Sequence, residues 1–293
     1  MGILSESGPE DKRNGTMGWK TGLCRHALRG LLWVGKAVRT HGVPILTYHS
    51  IDGTGGPTSV SPEVFAHQMQ QVHASGYKSL TLGQLGAHVP GGTRPHVALT
   101  FDDGYENQFT EAFPILQKYG LTATIFIITG RMGALNDWET DRRIPRLKHL
   151  DERQIREMSE YGIEFGSHSC THPDLTALTP ERARNEIETS KRVLEDLLGT
   201  RVTSFCYPFG AVNERVRTQV AEAGFSHACT LEYGMSRPAR DPLLLRRFGM
   251  NRISIRDAET ARLYLLNCLH GSASFYIGVR ESLRLSQALR RTG

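Results

Sequence analysis

The sequence predicts an α/β protein with a mainly parallel sheet. From Val43 onward, short apolar segments typical of buried strands alternate with helix-like segments. This alternation indicates β-α units, which build either an open sheet or a barrel. No linker rich in Pro, Gly or Ser interrupts residues 43–255, so a single domain of catalytic size is expected there.

The strands and helices are predicted from local patterns. Each strand is a short apolar run, and each helix begins at a residue whose side chain can cap it. Ser61, Asp151 and Thr179 are the three predicted caps, and the helix after Thr179 is expected to end at Leu198, before Gly199. The predicted strands comprise residues 44–48, 97–101, 123–128, 163–165, 202–207 and 226–230.

The two ends of the chain differ from this domain, which occupies residues 41–255. Residues 1–22 are polar, rich in Gly and Ser and without periodicity, which predicts a flexible leader. Residues 23–40 combine leucines and arginines at helical spacing and predict an amphipathic basic helix. Such a helix either packs on the domain or lies on a membrane surface through residues 23–39. Residues 256–293 are expected to form a helical C-terminal extension.

Composition excludes several classes of protein. The apolar fraction is 39% and the charged fraction 22%, which is typical of a globular protein rather than a disordered or fibrous one. The net charge of +5 does not by itself indicate a binding partner. Because no nucleic-acid-binding motif is present, no nucleic-acid partner is expected. The five cysteines include no C-x-x-C pair, which argues against a disulfide framework and favours a reducing compartment.

The sequence also bears on location. No apolar run approaches the roughly 20 residues of a membrane span, and no clear signal peptide is recognised. We therefore expect the protein in the cytoplasm or peripherally at the inner membrane face, with export left open.

Polar residues follow two of the predicted strands. Asp102 and Asp103 come directly after a strand and before Gly104, so their side chains can diverge, one to bind a metal ion and the other to move a proton. His168 and His172 follow another strand, and their spacing of four can bring both imidazoles onto one cation.

A third strand runs into the turn Tyr207-Pro208-Phe209-Gly210, where backbone N–H groups can face a substrate oxyanion. Each of these three signals is weak alone. Twelve histidines in 293 residues give about half a pair at spacing four by chance, and Asp before Gly is common in turns. Their combination at the carboxyl ends of strands, where α/β folds gather reactive groups, favours a catalytic site.

These segments resemble the first three motifs of the polysaccharide deacetylase family, the NodB-homology domain of carbohydrate esterase family 4. The motif residues are 100–104, 168–172 and 207–210. The likeness covers about residues 43–255, and the early Tyr48-His49 with the Tyr-Pro-Phe-Gly turn is most similar to the branch that deacetylates exopolysaccharide poly-N-acetylglucosamine. The resemblance implies a distorted (β/α) barrel with a divalent metal, usually zinc, with cobalt or another divalent ion as alternatives.

The resemblance also implies a role for each residue. Asp103, His168 and His172 would be the metal ligands, and Asp102 would be the general base that takes a proton as water attacks an amide carbon. A backbone N–H near Tyr207 would hold the resulting oxyanion. The products would be acetate and a free amine on the sugar.

Two positions depart from the family pattern. Cys206 stands where many relatives carry the arginine that orients the catalytic aspartate, and Arg246 or Arg247 is a candidate to replace it. The late Leu-x-His motif, which supplies a general acid in many relatives, has its nearest match at His270, within a helical pattern. The identity of the general acid therefore stays open.

Further residues are candidates for contact with the substrate. His49 either lines the pocket from the first strand or packs beneath it. Trp138 is either a sugar-stacking residue or a residue of the core or a loop. Tyr207 and Pro208 are expected to contact the sugar at the third motif.

The sequence favours a metal-dependent hydrolase that removes N-acetyl groups from N-acetylhexosamine units of a surface polysaccharide or its lipid-linked precursor. A hydrolase of another non-peptide carbon–nitrogen bond, or an O-acetyl sugar esterase, could use the same metal site. A non-catalytic carbohydrate-binding module is the alternative outside the enzymes, and the complete set of metal and base positions argues against it.

Overall fold

The computed structural model describes residues 29–30, 42–85, 95–137, 141–250 and 258–272 of the 293-residue chain. Within these ranges the strands are β1 Ile45–Tyr48, β2 Ser50–Ile51, β3 Ser59–Val60, β4 Lys78–Leu80, β5 His96–Phe101, β6 Thr124–Ile127, β7 Glu164–Ser167, β8 Ser204–Cys206, β9 His227–Tyr233 and β10 Leu245–Gly249. The helices are α1 Pro62–Ala74, α2 Leu82–Leu85, α3 Phe113–Tyr119, α4 Glu152–Glu160, α5 Pro180–Leu198, α6 Glu214–Glu222 and α7 Ala258–Leu269.

Seven strands form a closed parallel barrel. The strands β5 to β10 pair successively, and β1 pairs with β10 on one side and with β5 on the other, which closes the ring. The strand β4 pairs with the first residues of β5 in addition to this ring. All of these pairings are parallel, as connections through crossover helices require. The prediction of a distorted (β/α) barrel is confirmed, and the open sheet is excluded.

All six predicted strands belong to the barrel, with ends that shift by a few residues. The strands β4 and β10 have no counterpart among the predictions. In β10 the exposed Arg246 stands beside the buried Arg247, so a run of charge conceals the apolar pattern on which strand prediction depends.

The predicted helix starts are confirmed. Ser61, Asp151 and Thr179 each accept a hydrogen bond from a backbone N–H in the first turn of α1, α4 and α5. The helix α5 ends at Leu198, and Gly199 takes a φ of 66°, a left-handed conformation that costs glycine little because it has no Cβ.

The strands separate two hydrophobic cores. Side chains that point outward, such as Leu46, Phe101 and Phe205, pack under the surrounding helices. Side chains that point inward, such as Phe126 and Cys206, fill the barrel. Because neighbouring residues of a strand face opposite sides, this alternation also decides which polar side chains enter the barrel.

The short helix α2 closes the amino-terminal end of the barrel. The N–H of Leu82 donates to Thr124 Oγ1 at 3.0 Å, and the N–H of Gly83 donates to Glu164 Oε2 at 2.9 Å. Thr124 and Glu164 are the first residues of β6 and β7. The opposite end, where the strands finish, is therefore the end at which loops can gather reactive groups.

Little of the two ends of the chain is described. Arg29 and Gly30 are helical and exposed, and Arg29 Nη2 lies 3.2 Å from Glu259 Oε1 of α7. The rest of the predicted leader, basic helix and C-terminal extension, apart from α7 and the few residues after it, lies outside the described residues, so these boundaries stay predictions. Among the described helices, none combines the length and apolar character that a membrane span requires.

Candidate active site

The strand β5 delivers the carboxylate pair to the carboxyl end of the barrel. Asp102 follows this strand directly, and Asp103 and Gly104 both take a φ of 69°. A positive φ is uncommon for a residue that has a Cβ, and it marks Asp103 as a constrained position. Glycine is favoured at the next residue because its φ is positive, and a Cβ on Gly104 would in addition lie 2.7 Å from Ile127 Cδ1, whose side chain would have to shift. The chain turns sharply here, and the two carboxylates diverge.

The loop after β7 carries the two histidines. Ser169 and His172 have φ values of 64° and 62°, and the loop folds back so that Nε2 of His168 and Nε2 of His172 lie 3.2 Å apart. Glu186 of α5 accepts hydrogen bonds from two backbone N–H groups of this loop, at 2.8 and 2.9 Å. The neighbouring helix α5 therefore helps to hold the histidine loop in position.

Asp103, His168 and His172 form a cluster that could hold a divalent metal ion. One ligand atom of each lies within 4.8 Å of the others. Asp103 Oδ1 is 3.6 Å from His168 Nε2 and 3.8 Å from His172 Nε2, and all three residues are buried. The three predicted ligands thus meet, as a set of two imidazoles and one carboxylate.

Both imidazoles are neutral, so each can offer a nitrogen lone pair to a metal ion. Burial lowers the pKa of His168, and burial together with the neighbouring His168 lowers the pKa of His172 to about 3. His168 Nδ1 lies 2.8 Å from the carbonyl oxygen of Cys206, so Nδ1 carries the proton and Nε2 presents its lone pair towards Asp103. Neutral imidazoles beside a carboxylate fit the requirements of a divalent cation.

His149 supports the turn that carries Asp103. Its Nδ1 lies 2.8 Å from the carbonyl oxygen of Asp103, and its ring packs on Tyr105 with centroids 5.1 Å apart. Burial lowers the pKa of His149, so the neutral ring donates from Nδ1. Sequence reasoning missed this residue because its segment shows neither a strand nor a helix pattern.

Asp102 forms a buried ion pair with Arg247 of β10. Arg247 Nη1 donates to Asp102 Oδ1 at 2.7 Å, and Nη2 donates to Oδ2 at 2.8 Å. Each residue is only 2% exposed. Burial by itself raises the pKa of Asp102, but the charge and hydrogen bonds of Arg247 outweigh it and hold the pKa well below its usual range. Asp102 is therefore a carboxylate at neutral pH.

The structure distinguishes Arg246 from Arg247. Because strand residues alternate, Arg246 faces solvent, where its Nη2 lies 2.9 Å from Glu232 Oε2, whereas Arg247 enters the barrel. Inside the barrel, Arg247 Nη2 lies 3.2 Å from the Sγ of Cys206. The small side chain of Cys206 leaves room for a guanidinium that comes from β10 instead of β8.

His49 reaches the same carboxylate from the end of β1. Its Nε2 lies 3.8 Å from Asp102 Oδ2, and its side chain is 18% exposed. This partial exposure beside Asp102 favours the first of the two alternatives for His49, a place in the lining of the site, which stays a prediction.

The third motif differs from the expectation. The side chain of Tyr207 is 1% exposed and packs on Phe205, with ring centroids 5.4 Å apart, so it belongs to the core outside the barrel. The N–H of Tyr207 donates to the carbonyl oxygen of Cys229 at 3.1 Å. The side chain and the N–H of Tyr207 are thus both engaged within the protein, and Pro208 is buried as well. An oxyanion donor at this turn stays a prediction for its other N–H groups.

Phe209 is the residue of this motif that faces the site, and sequence reasoning did not single it out. Its side chain is 59% exposed, its φ is 58°, and its ring centroid lies 4.6 Å from that of His172. An exposed aromatic residue in a left-handed conformation beside a candidate ligand makes Phe209 a candidate functional residue.

Two other predicted residues are not brought to the site. Trp138 lies outside the described residues. His270 follows α7, and the carbonyl oxygen of the preceding Leu269 accepts a hydrogen bond from Tyr77 Oη at 2.9 Å. Tyr77 immediately precedes β4, at the amino-terminal end of the barrel. The assignment of His270 as general acid is therefore wrong, because α7 carries it to the end opposite Asp102.

Comparison with known proteins agrees with this geometry. A sequence profile described as polysaccharide deacetylase matches residues 90–228. YxkH of Bacillus subtilis (strain 168), named among the polysaccharide deacetylases, is 32% identical over 205 residues, which cover 69% of this chain and 68% of YxkH. The poly-beta-1,6-N-acetyl-D-glucosamine N-deacetylase of Staphylococcus epidermidis is 29% identical over 197 residues, which cover 62% of this chain and 65% of that enzyme, just under two thirds.

Solved structures share the fold. The deacetylase PplD of Streptococcus pyogenes, in complex with acetate, has a TM-score of 0.62 and 28% identity, over 71% of this chain and 92% of that chain. IcaB from Ammonifex degensii has a TM-score of 0.64 and 23% identity, over 78% of this chain and 98% of that chain. At that identity the likeness to IcaB concerns the fold alone.

Replacement of Arg247 tests the buried ion pair. Arg247→Met should lower the free energy of unfolding at pH 7.5 by about 3–5 kcal/mol, because it leaves Asp102 as an unpaired buried charge. Without the guanidinium, burial raises the pKa of Asp102, so the carboxyl becomes protonated as the pH falls. The loss should therefore shrink between pH 7.5 and pH 5, as measured by urea unfolding at a series of pH values.

The adjacent Arg246→Met is the matched control. Its exposed pair with Glu232 should contribute less than about 1 kcal/mol, without the same pH dependence. Equal losses for the two variants, or a loss for Arg247→Met that is independent of pH, would contradict the account of Asp102.

Proposed function

The chain belongs to the polysaccharide deacetylase family, and we propose that it is a metal-dependent N-deacetylase of N-acetylhexosamine units in a surface polysaccharide. Family membership makes it an enzyme that deacetylates polysaccharide; the metal, the sugar and the residue roles are the proposal. The observation that carries the proposal is the buried Asp102–Arg247 pair beside the cluster of three ligands. An ionised carboxylate next to a cation site is suited to the attack of water on an amide carbon.

Asp103, His168 and His172 would hold the ion, and we assign zinc because catalytic zinc commonly uses three imidazole or carboxylate ligands and keeps a further position open. A divalent ion supplies Lewis acidity, which polarises a carbonyl oxygen and acidifies water. His149 and Glu186 would support this centre by fixing the Asp103 turn and the histidine loop.

Asp102 would accept the proton of the attacking water. Each of its oxygens receives one hydrogen bond from Arg247 and keeps lone pairs for a second partner. A carboxylate whose pKa is held so low retains a proton only briefly, since protonation leaves the Arg247 charge uncompensated. The proton must then pass on, and the leaving amine is the group that needs it.

His49 would give a proton to that amine, in the role first considered for His270. Its Nε2 stands 3.8 Å from Asp102 Oδ2, and its side chain is 18% exposed. A protonated imidazole is the form that can donate this proton.

The sugar is inferred from a relative and from one exposed side chain. The Staphylococcus epidermidis relative is named for poly-beta-1,6-N-acetyl-D-glucosamine, and we infer a similar N-acetylated polymer, or its lipid-linked precursor, for this chain. Phe209 would stack on the apolar face of a sugar ring, because an exposed aromatic ring offers apolar area at little entropic cost. Contact of residues 23–39 with the inner membrane face remains part of the proposal, and membrane partition of the full chain tests it.

Acetate release from N-acetylglucosamine oligomers is the primary test. Chelated protein reloaded with zinc or cobalt should release acetate, and Asp102→Asn should lower kcat by about 10²–10⁴-fold while one ion per chain stays bound. His168→Ala should lose the metal and the activity together. Acetate is measured with a coupled assay, and bound metal by elemental analysis of the same samples.

Asp196→Asn, at an exposed position of α5, is the matched control and should behave as the unsubstituted protein. Release only from O-acetyl sugars, or only from small amides, would replace the substrate class while keeping the metal site. Absence of metal binding would favour the carbohydrate-binding module.

His49→Gln separates proton donation from water attack. Release from the sugar amide should fall about 100-fold, because an amine leaves poorly without a proton. Hydrolysis of an aryl acetate, whose leaving group needs no proton, should fall by less than about threefold. The exposed His67→Gln of α1 is the control, and equal losses on the two substrates would exclude His49 as the acid.

Phe209→Ala tests whether the Phe209 ring stacks on the sugar. The KM for N-acetylglucosamine oligomers should rise about tenfold with a smaller change in kcat, because stacking area is lost and the reacting groups are kept. Phe209→Trp should retain the low KM. Tyr161→Ala removes another exposed aromatic side chain, after α4 and away from the site, and should leave KM unchanged; an unchanged KM for Phe209→Ala would contradict stacking.

A further inference from the structure

Gln108 contacts the backbone of both residues assigned to proton transfer, although it belongs to none of the three motifs. Its Nε2 donates to the carbonyl oxygen of His49 at 2.8 Å and to the carbonyl oxygen of Asp102 at 2.7 Å. The residue is fully buried. One carboxamide nitrogen thus joins the end of β1 to the end of β5.

An unusual backbone conformation places this side chain. Gln108 begins the π-helix Gln108–Ala112, in which the N–H of Phe113 donates to the carbonyl oxygen of Gln108, five residues back. Pro114 accounts for the wider turn, because it has no N–H and its ring would collide with the carbonyl of Thr110 in a regular α-helix. Single π turns are rare and recur at functional sites.

The preceding residue reinforces the connection. Asn107 Oδ1 accepts a hydrogen bond from the N–H of Ile51 at 3.2 Å, and Asn107 Nδ2 donates to Ser50 Oγ at 2.7 Å. Two adjacent amide side chains therefore hold the segment from His49 to Ile51 against the turn that follows β5.

The hydrogen bonding between these two strands ends at Asp102. The register of β1 on β5 ends with Tyr48 opposite Phe101, and the N–H of Asp102 still donates to the carbonyl oxygen of Tyr48 at 2.9 Å. The carbonyl of His49 is held by Gln108, and so is the carbonyl of Asp102. The strand pairing thus holds the N–H of Asp102, whereas the link between the carbonyls of His49 and Asp102 is made by Gln108.

We propose that Gln108 is a positioning residue that sets the separation between the His49 imidazole and the Asp102 carboxylate. The proposal rests on the acid and base roles assigned under the proposed function. His49 Nε2 lies 3.8 Å from Asp102 Oδ2, and a displacement of about 1 Å in such a pair can cost about 100-fold in rate. When this nitrogen is lost, Arg247 still holds the Asp102 carboxylate, so the loss chiefly displaces His49.

Two substitutions test this role in the full, zinc-loaded protein. Gln108→Met removes the donor at similar size, and Gln108→Glu keeps the shape but turns an oxygen towards the two carbonyl oxygens. For either variant, kcat on N-acetylglucosamine oligomers should fall about 10–100-fold with KM within about twofold. Hydrolysis of an aryl acetate, which needs no proton donor, should fall less than about threefold. Rates are expressed per bound zinc, so that unfolded protein is not counted.

Gln117→Met, at an exposed position of α3, is the matched control and should leave all of these rates unchanged. Equal losses on oligomer and aryl acetate for the Gln108 variants would assign the residue to stability alone and overturn the proposal. Losses below twofold on both substrates would also overturn it, while deacetylation by the unsubstituted protein would leave the proposed function standing. If the unsubstituted protein releases no acetate from any oligomer, the proposed function fails first, and the role of Gln108 fails with it.

Discussion

The ion pair between Arg247 and Asp102 is the interaction on which the rest of the site depends. Removing two charges from water costs several kcal/mol for each ion, and only close, doubly hydrogen-bonded geometry offsets that cost. The contacts at 2.7 and 2.8 Å provide such geometry. They also engage both oxygens of Asp102, whereas Asp103 Oδ1 lies 3.6 and 3.8 Å from the two imidazoles. The proposed difference in role between the two adjacent aspartates therefore rests on which of them pairs with the guanidinium.

The closed barrel makes this arrangement possible. Arg247 enters from β10, Asp102 from β5 and His49 from β1, and the ring closes because β1 pairs with both of the other strands. The proposed acid and base therefore stand at the closing seam, just beyond its last paired residues. The proposed metal ligand His168 approaches from β7, across the barrel mouth. A site built in this way needs supports outside the sheet, and Glu186, His149 and Gln108 have the contacts to provide them.

Sequence reasoning predicted the parts of the site that local pattern determines. Asp102, Asp103, His168 and His172 each follow an apolar strand, and the carboxyl ends of parallel strands meet at one edge. The sequence could not indicate which of Arg246 and Arg247 pairs with Asp102, because Asp102 lies 145 positions away from Arg247. Tyr207 lies at the predicted turn, but strand alternation sends its side chain into the outer core. His270 was misplaced because a helix, rather than a strand, carries it to the far end of the barrel.

Anomalous diffraction from crystals of the full chain loaded with zinc is the most direct test of the central claim. The account predicts a single ion at about 2.0–2.2 Å from Nε2 of His168, Nε2 of His172 and a carboxylate oxygen of Asp103. It also predicts that Asp102 stays paired with Arg247 and does not ligate the ion. An ion bound by Asp102, or an ion bound elsewhere with this cluster empty, would contradict the assignment of Asp102 as a base held apart from the metal.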